Sequence, residues 1–186
     1  FNTLNVILSL ARLNRTSELI RALETFSQFL KFKYKSSEPL IPLDQEIQYT
    51  QYYIDIQSLR FGDRLKTQLD CPKELYNAKL PPFILQTLVE NSFKHGLEKK
   101  VGEALLHIRF YQDSELICLE VIDNGLMGMT NSFSNQDGHG LDNIKKRLQL
   151  YFGKNGHVFI TSNEVGTNVK VIWPLIYDAR EEEILK

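Results

Sequence analysis

One stretch of the sequence guides the interpretation of the rest: Pro82-Phe83-Ile84-Leu85-Gln86-Thr87-Leu88-Val89-Glu90-Asn91-Ser92-Phe93-Lys94-His95-Gly96. Its apolar residues recur at helical spacing, which predicts a packed helix that begins at its proline and ends at its glycine. Asn91, Lys94 and His95 are three and four residues apart, so the pattern places them on one face. An amide, a cation and an imidazole on one face favour contact with a metal–phosphate ligand.

Length and composition narrow the class of protein. The chain has 186 residues and a net charge of −1, which argues against a broad nucleic-acid surface. Cys71 and Cys118 are far apart in sequence, a pattern that favours a reducing compartment over a disulfide framework. No apolar run approaches a membrane span or a signal peptide. Because Phe1 falls inside a helical pattern, we expect the chain to be a piece of a longer protein.

The first 35 residues predict two helices, over 1–13 and from Glu18 to about Lys35, with Thr16 or Ser17 as the cap of the second. The second helix carries a narrow apolar seam of Leu19, Leu23, Phe26 and Leu30. Two short helices cannot bury both faces alone, so a symmetric dimer that forms a four-helix bundle is favoured. The alternative is that the pair packs on the rest of the same chain.

The remaining sequence predicts an α+β domain after a boundary near residues 36–39. Asp44 is expected to cap a helix that runs to about Arg60. The other predicted elements are an edge strand at 40–43, a strand at 64–69, a hairpin over 106–122, a loop to Gly140, a helix at 141–150, two closing strands around 163–166, and a charged tail. Helices separated from mostly antiparallel strands indicate a two-layer sandwich, with a mixed sheet and helices on one face.

Three polar signals occur at the ends of these elements. Besides the opening helix, Asp123-Asn124-Gly125 follows a buried strand, and Gly138-His139-Gly140 opens a helix. A helix start attracts phosphate, an asparagine oxygen suits Mg²⁺, and an aspartate can accept a hydrogen bond from an exocyclic amine of adenine. Each signal alone is more typical of a turn, a cap or a surface residue. Their combination in this order is far more specific.

At this point the chain resembles the GHKL ATP-binding fold and, more narrowly, the LytS/YesM-like sensor histidine kinases. The matching stretches are Leu88–Gly96 (the N box), Asp123-Asn124-Gly125 and Gly138–Leu148 (the two glycine boxes), Gly166-Thr167-Asn168-Val169, Phe1-Asn2-Thr3-Leu4-Asn5, Tyr53-Ile54-Asp55-Ile56-Gln57 and Arg60-Phe61-Gly62-Asp63-Arg64-Leu65. The resemblance implies that residues 1–36 are the end of a dimerisation and phosphoacceptor region. It makes 37–178 the catalytic ATP-binding domain and 179–186 a charged tail.

The resemblance also implies a site for ATP and Mg²⁺. Asn91 would bind Mg²⁺, and Lys94 and His95 would lie near the phosphates. Asp123 would bind the adenine amino group, with Gly125 beside the base. The ATP lid would span 126–139. The remaining expected contributors are Gly138, Gly140 and Leu141 at the phosphate end of the lid, and Thr167 in support of the aspartate.

Activity and partners follow from the same resemblance. Family members transfer the γ-phosphoryl group to a histidine and then to an aspartate of a response-regulator receiver domain. The acceptor histidine is expected just before Phe1, so none of the four histidines present is assigned that role. We expect a homodimer through the N-terminal helices, no nucleic-acid partner, and a cytoplasmic domain of a bacterial inner-membrane protein whose membrane contact lies in other segments.

Two alternatives remain open at the level of sequence. The hydrolysing branch of this fold carries a glutamate one turn before the Mg²⁺ asparagine, where this chain has Thr87, so a kinase is favoured over an ATPase. Glu90 lies beside Asn91 and points about 100° away around a helix. Met127, in place of the usual second glycine, and His139 depart from the family pattern. They motivate a second hypothesis, a module that serves dimerisation or partner binding without productive use of ATP.

Overall fold

A computed structural model of the chain describes residues 2–35, 38–125 and 139–177. The described helices are α1 (Asn2–Arg12), α2 (Thr16–Lys35), α3 (Leu43–Phe61), α4 (Ile84–Asn91) and α5 (His139–Phe152). The described strands are β1 (Ile41–Pro42), β2 (Leu65–Asp70), β3 (Lys79–Leu80), β4 (Ala104–Asp113), β5 (Leu116–Asp123), β6 (His157–Asn163) and β7 (Gly166–Pro174). The predicted lid, apart from the start of α5, and the charged tail lie outside these ranges.

Five strands form the main sheet, in the order β2-β4-β5-β7-β6. The pairs β4–β5, β5–β7 and β6–β7 are antiparallel, and β2 pairs in parallel with β4. The nearly continuous apolar run of β5 places it at the centre of the sheet, as predicted. A parallel pair needs a crossover connection, and α4 lies within the segment that joins β2 to β4.

Helices α3, α4 and α5 cover one face of the sheet and bury the main core. Alternate residues of β4 and β5 face this core, including Leu106, Ile108 and Leu119, while Leu105 and Arg109 on the opposite face are exposed. The predicted α+β class, with helices on one face of a mixed and mostly antiparallel sheet, is confirmed.

Helix α3 belongs to two cores. Its Tyr53 and Ile54 lie in the main core, whereas Ile56 packs with apolar side chains of α1 and α2 in a second cluster. The predicted seam of α2 therefore divides: Leu19 and Phe26 pack against the second cluster, while Leu23 remains 48% exposed. One face of the helical pair thus packs on its own chain, as the alternative prediction required, and another face stays exposed.

The start of α3 corrects one expectation. The helix begins at Leu43 with Pro42 at its N-cap position, so Asp44 is already inside the first turn. The Asp44 carboxylate accepts a hydrogen bond from the neighbouring Gln45 N–H instead of capping the helix. Pro42 pairs with Lys79 in the short β1–β3 sheet, and this pairing fixes where the chain turns into α3.

The opening helix also differs from its prediction at both ends. Phe83 adopts a left-handed conformation with φ of 67°, so the helix begins at Ile84 instead of at the proline. Beyond Asn91 the chain continues through a π-helical turn, Ser92–Gly96, and a 3₁₀ turn, Leu97–Lys99. We call the whole stretch 84–99 the wall segment.

The last strand carries the chain's one tryptophan, Trp173, which is fully buried. Its indole Nε1 donates a hydrogen bond to the Lys79 carbonyl oxygen at 3.0 Å. This bond ties the β1–β3 sheet to the main core. Within the described ranges, no helix combines the length and the apolar character that crossing a membrane requires.

Candidate nucleotide site

Asp123 ends β5 with its side chain turned into the protein. The residue is 4% exposed. Its Oδ1 accepts a hydrogen bond from the Gly125 N–H at 2.9 Å, and the Ser92 hydroxyl donates a second one. Burial raises the pKa of Asp123, while the two hydrogen bonds oppose that shift. A carboxylate has about four lone-pair positions, so Asp123 can still accept a hydrogen bond from a ligand amine.

Three glycines surround Asp123 at distances that no larger residue permits. A Cβ at Gly96 would lie 2.5 Å from the Asp123 Oδ1, and one at Gly125 would lie 2.2 Å from the Gly96 Cα. A Cβ at Gly166 would lie 1.9 Å from the Asp123 carbonyl oxygen. The sequence pattern assigned Gly96 to the end of a helix. The structure gives it another role, because it allows the wall segment to contact the end of β5.

Thr167 lies directly across from Asp123 in the β5–β7 ladder. The two residues therefore share the inner face of the sheet. The Thr167 hydroxyl hydrogen-bonds the Ser162 hydroxyl at 3.0 Å, on the next strand. Its position beside Asp123 agrees with the expected supporting role, which stays a prediction.

The start of α5 packs on the face of α4 that carries Thr87 and Asn91. A Cβ at Gly140 would lie 3.2 Å from the Thr87 Cγ2 and 3.4 Å from the Asn91 Nδ2. These distances place Asn91, which is half-buried, beside the first turn of α5. The helix dipole favours negative charge there. Leu141 packs partly against the main core. Gly138 lies outside the described residues, and so does the His139 side chain.

A cleft of about 290 Å³ runs between α4 and α5. Its lining residues are Thr87, Gly140, Asn143, Ile144, Lys146 and Arg147. The motif analysis assigned no site role to the last four of these. Arg147 is half-buried, and burial lowers its pKa while the Glu46 carboxylate raises it.

Lys94 and His95 are exposed side chains of the π-helical turn. The expectation that they share a face with Asn91 assumed α-helical spacing, which ends at Asn91. In a π-helical turn the hydrogen bonds run from residue i to i+5, so the three- and four-residue rule does not extend to this pair. Their predicted place near the phosphates stays a prediction.

Glu90 points toward α3. Its Oε1 accepts a hydrogen bond from the Gln86 side chain. Burial raises the pKa values of Tyr49 and Tyr53, both residues of α3, and the charge of Glu90 raises them further. Asn91, by contrast, faces α5. Thr87 uses its hydroxyl to donate to the Phe83 carbonyl oxygen at 2.6 Å.

Sequence analysis missed three polar residues that hold this site: Glu46, Arg64 and Ser92. Glu46 and Ser92 are buried, and Glu46 and Arg64 bind backbone groups more than 30 residues away. The only sequence signal for Arg64 was its place in the stretch that resembles the family. In the part of the chain that the structure describes, no three His, Cys, Asp or Glu side chains are grouped so that they could hold a metal ion.

Comparison with known proteins gives the chain its family. A family model described as histidine kinase matches residues 1–65. The sensor protein LytS of Oceanobacillus iheyensis is 30% identical over 94% of this chain, and the sensor histidine kinase YesM of Bacillus subtilis is 29% identical over 94%. The chain spans about a third of the length of these relatives, 32% and 31% respectively.

Solved structures agree on the fold. The histidine kinase domain of the Erythrobacter litoralis EL346 blue-light activated histidine kinase superposes with a TM-score of 0.60 at 14% identity. The match covers 90% of this chain and 86% of that domain. At this level of identity the likeness concerns the fold alone. From the curated relatives and the family model, we conclude that the chain belongs to the LytS/YesM-like sensor histidine kinases.

Proposed function

We propose that this chain binds Mg²⁺–ATP and serves as the catalytic part of a protein-histidine kinase. The observation that carries the proposal is the contact of three elements around one buried acid: the end of β5, the wall segment and the β6–β7 turn meet at Asp123. In a histidine kinase family member, ATP supplies the γ-phosphoryl group and Mg²⁺ neutralises the charge that develops on it. The donor set fits these ligands.

Asp123 is the proposed adenine ligand. It is an acceptor with lone pairs to spare, in a buried setting where a hydrogen bond to an amine is strong. Gly125 and Gly96 pack backbone against backbone beside its carboxylate, an approach that only glycines allow. Thr167 stands across the ladder from it.

Asn91 is the proposed Mg²⁺ ligand. A single amide oxygen suits an ion that keeps several waters and binds phosphates. The first turn of α5, with Gly140 beside Asn91, supplies N–H groups and a positive dipole end for the phosphates. Near the phosphates, the proposed contributors are the side chains of Lys94 and His95. Gly138 and Leu141 are proposed to lie there as well.

The position of Glu90 supports a kinase over an ATPase. A carboxylate that orients water should share the face of Asn91, but Glu90 is bound by Gln86 beside α3. Thr87, which does share that face, has no carboxylate, and its hydroxyl donates a hydrogen bond to the Phe83 carbonyl oxygen. Steady ATP hydrolysis by the purified chain would favour the ATPase instead.

We also infer the partners that the family implies. The phosphoryl group would pass to a histidine that precedes Phe1 in the family pattern and then to a receiver-domain aspartate. Exposed leucines on α1 and α2 support a homodimer through these helices. A site that uses ATP belongs in the cytoplasm, and the two free cysteines agree with a reducing compartment.

Calorimetry with Mg²⁺–ATP tests the proposal. We expect Asp123→Asn to weaken binding by roughly ten- to a hundredfold, because a hydrogen bond to a charged acceptor contributes about 1.5–3 kcal/mol. Asp113→Asn is the matched control, since this exposed acid lies at the other end of the β4–β5 hairpin. Failure of the parent chain to bind would contradict the kinase proposal and favour the non-binding module. Unchanged binding by Asp123→Asn would contradict the adenine assignment.

A further inference from the structure

We propose that Glu46 and Arg64 are positioning residues for nucleotide binding, because they hold the two ends of the wall segment. The inference rests on the proposed function of the site. Glu46 belongs to the first turns of α3, and Arg64 follows directly after the end of α3. One helix and its exit turn thus bind both ends of the segment that carries Thr87 and Asn91 and contacts Asp123.

Glu46 binds the beginning of the wall segment. Its Oε2 accepts a hydrogen bond from the Phe83 N–H at 2.9 Å, and its Oε1 accepts one from the Gln86 N–H at 3.3 Å. The Leu85 N–H donates to the same carboxylate. The first N–H groups of a helix lack partners within the helix and favour negative charge. Here the carboxylate comes from a residue 37 positions before Phe83 instead of from a local cap.

Arg64 binds the other end. Its Nη2 donates to the carbonyl oxygens of Leu97 at 3.4 Å and Lys100 at 2.5 Å. Both carbonyls lie at the end of a helical segment, where a cation is favoured. The Leu97 oxygen also accepts a hydrogen bond from the Lys100 N–H at 3.2 Å. The guanidinium lies 5.0 Å from the Phe61 ring centroid, and that ring packs edge-on against Phe93 within the wall segment.

The two contacts enclose every part of the site that the wall segment supplies. Thr87 and Asn91, which contact Gly140, lie between them, and Gly96, which contacts Asp123, lies one residue before Leu97. The Gly96–Gly125 contact leaves no slack, since a single added carbon would overlap. A shift of the wall segment along its axis would therefore separate Asn91 from α5 and Gly96 from Asp123 together.

Packing alone does not explain a glutamate at position 46. It is fully buried, and a carboxylate in that setting is unfavourable unless its oxygens are bonded. Its partners are backbone N–H groups of the wall segment and, through charge, Arg147 of α5, which lines the α4–α5 cleft. The carboxylate thus connects α3, α4 and α5 at one point.

The test combines binding with amide exchange. In Glu46→Gln we expect the N–H groups of Phe83, Leu85 and Gln86 to exchange at least about tenfold faster and the Kd for Mg²⁺–ATP to rise about tenfold, while the β4–β5 ladder keeps its protection. Asp44→Asn, an exposed acid-to-amide change in the same turn of α3, should leave both unchanged. Arg64→Gln should raise the Kd similarly, with exposed Lys66→Gln as its control.

A double-mutant cycle separates positioning from general stability. If Glu46 acts through the placement of Asn91, the losses of binding free energy for Mg²⁺–ATP caused by Glu46→Gln and Asn91→Ala will be less than additive. Additive losses would overturn the proposal, and so would faster exchange at the three amides with an unchanged Kd. If Glu46→Gln does not fold, Arg64→Gln decides by the same Kd criterion. Failure of the parent chain to bind ATP would instead refute the proposed function, and the inference with it.

Discussion

At the scale of single residues, Gly96 is a position with little tolerance for a side chain. Its backbone lies against the Asp123 carboxylate and Gly125, and its φ of −101° is one that any residue can adopt. The need for glycine is therefore one of space and not of backbone conformation. This makes its substitution a clean test of the contact between the wall segment and β5.

We expect Gly96→Ala to lower the free energy of unfolding by roughly 1–3 kcal/mol, as for other overpacked sites, and to weaken Mg²⁺–ATP binding. The added methyl would push the wall segment away from Asp123. Chemical denaturation and calorimetry measure the two effects. Gly102→Ala is the control: its φ of 84° strains an added side chain, yet nothing lies within 4 Å, so stability should fall without loss of affinity. Wild-type affinity in Gly96→Ala would show that the contact is not needed.

We also expect the stability of the protein to depend on pH through Glu46. Burial raises the pKa of Glu46 from 4.5 to about 7, against the effect of the backbone N–H donors and Arg147. A folded-state pKa above the unfolded one adds stability that is complete below about pH 4.5 and lost as the pH rises through about 7. The corresponding free energy is on the order of 3 kcal/mol.

Denaturation curves at several pH values would measure this contribution of Glu46 to the free energy of unfolding. The free energy of unfolding of the wild type, relative to Glu46→Gln, should fall between about pH 5 and about pH 7.5. Besides Arg147, Tyr49 is a titratable neighbour of this carboxylate, and it keeps its proton throughout, since burial and Glu46 raise its pKa. Parallel curves for the two proteins would mean that Glu46 does not change its protonation in this range.

Asp123 and Glu46 differ in how far the sequence could predict their roles. Asp123 could be found because an acid at the end of an apolar strand breaks a pattern that is visible locally. Glu46 could not, because it stands among polar residues on α3 and its partners are 37 to 40 positions away. Pattern analysis identifies the face of an element and carries no information about which distant backbone groups a buried side chain will meet.

At the scale of elements, most helices and strands were predictable, and their ends less so. The β4–β5 and β6–β7 hairpins follow from alternation and turn residues, which act over a few positions. The start of α4 follows from the left-handed Phe83, and its π-helical continuation from contacts with β5. Both are set by tertiary packing, which the local pattern does not contain.

The parallel pairing of β2 with β4 belongs to this scale as well. Alternation predicted β2 as a strand, but nothing in its six residues indicated its neighbour or direction. The pairing makes the whole stretch from β2 to β4 a crossover that lies on the helical face. The wall segment is therefore placed by the topology of the sheet before any ligand is considered.

At the scale of the whole molecule, the division of apolar surface on α1 and α2 is the main feature. Val6, Leu10 and Ala22 pack inward with Ile56 of α3. The outward apolar side chains are Leu4, Leu8, Ile20 and Leu23, each about half exposed. An exposed stripe of this kind on a helical pair is typical of an interface between subunits.

We expect Leu8→Glu combined with Leu23→Glu to convert a homodimer to a monomer in analytical ultracentrifugation, because two charges would have to be buried at the interface. The fold should persist, since both side chains lie outside the described cores. Leu150→Glu, the same kind of change at an exposed position of α5, is the control. A wild-type chain that sediments as a monomer, or a double variant that remains a dimer, would contradict the inferred interface.

The buried Trp173 has a practical consequence for spectroscopy. It is the one tryptophan of the chain, so intrinsic emission excited selectively at indole comes from a single place in the core. Thr167 lies six residues earlier on β7, about 20 Å along the strand. Fluorescence can thus follow loss of the packed core, while a nucleotide at Asp123 stays too far away to quench it directly. The protein carries a native reporter that distinguishes unfolding from ligand binding without any label.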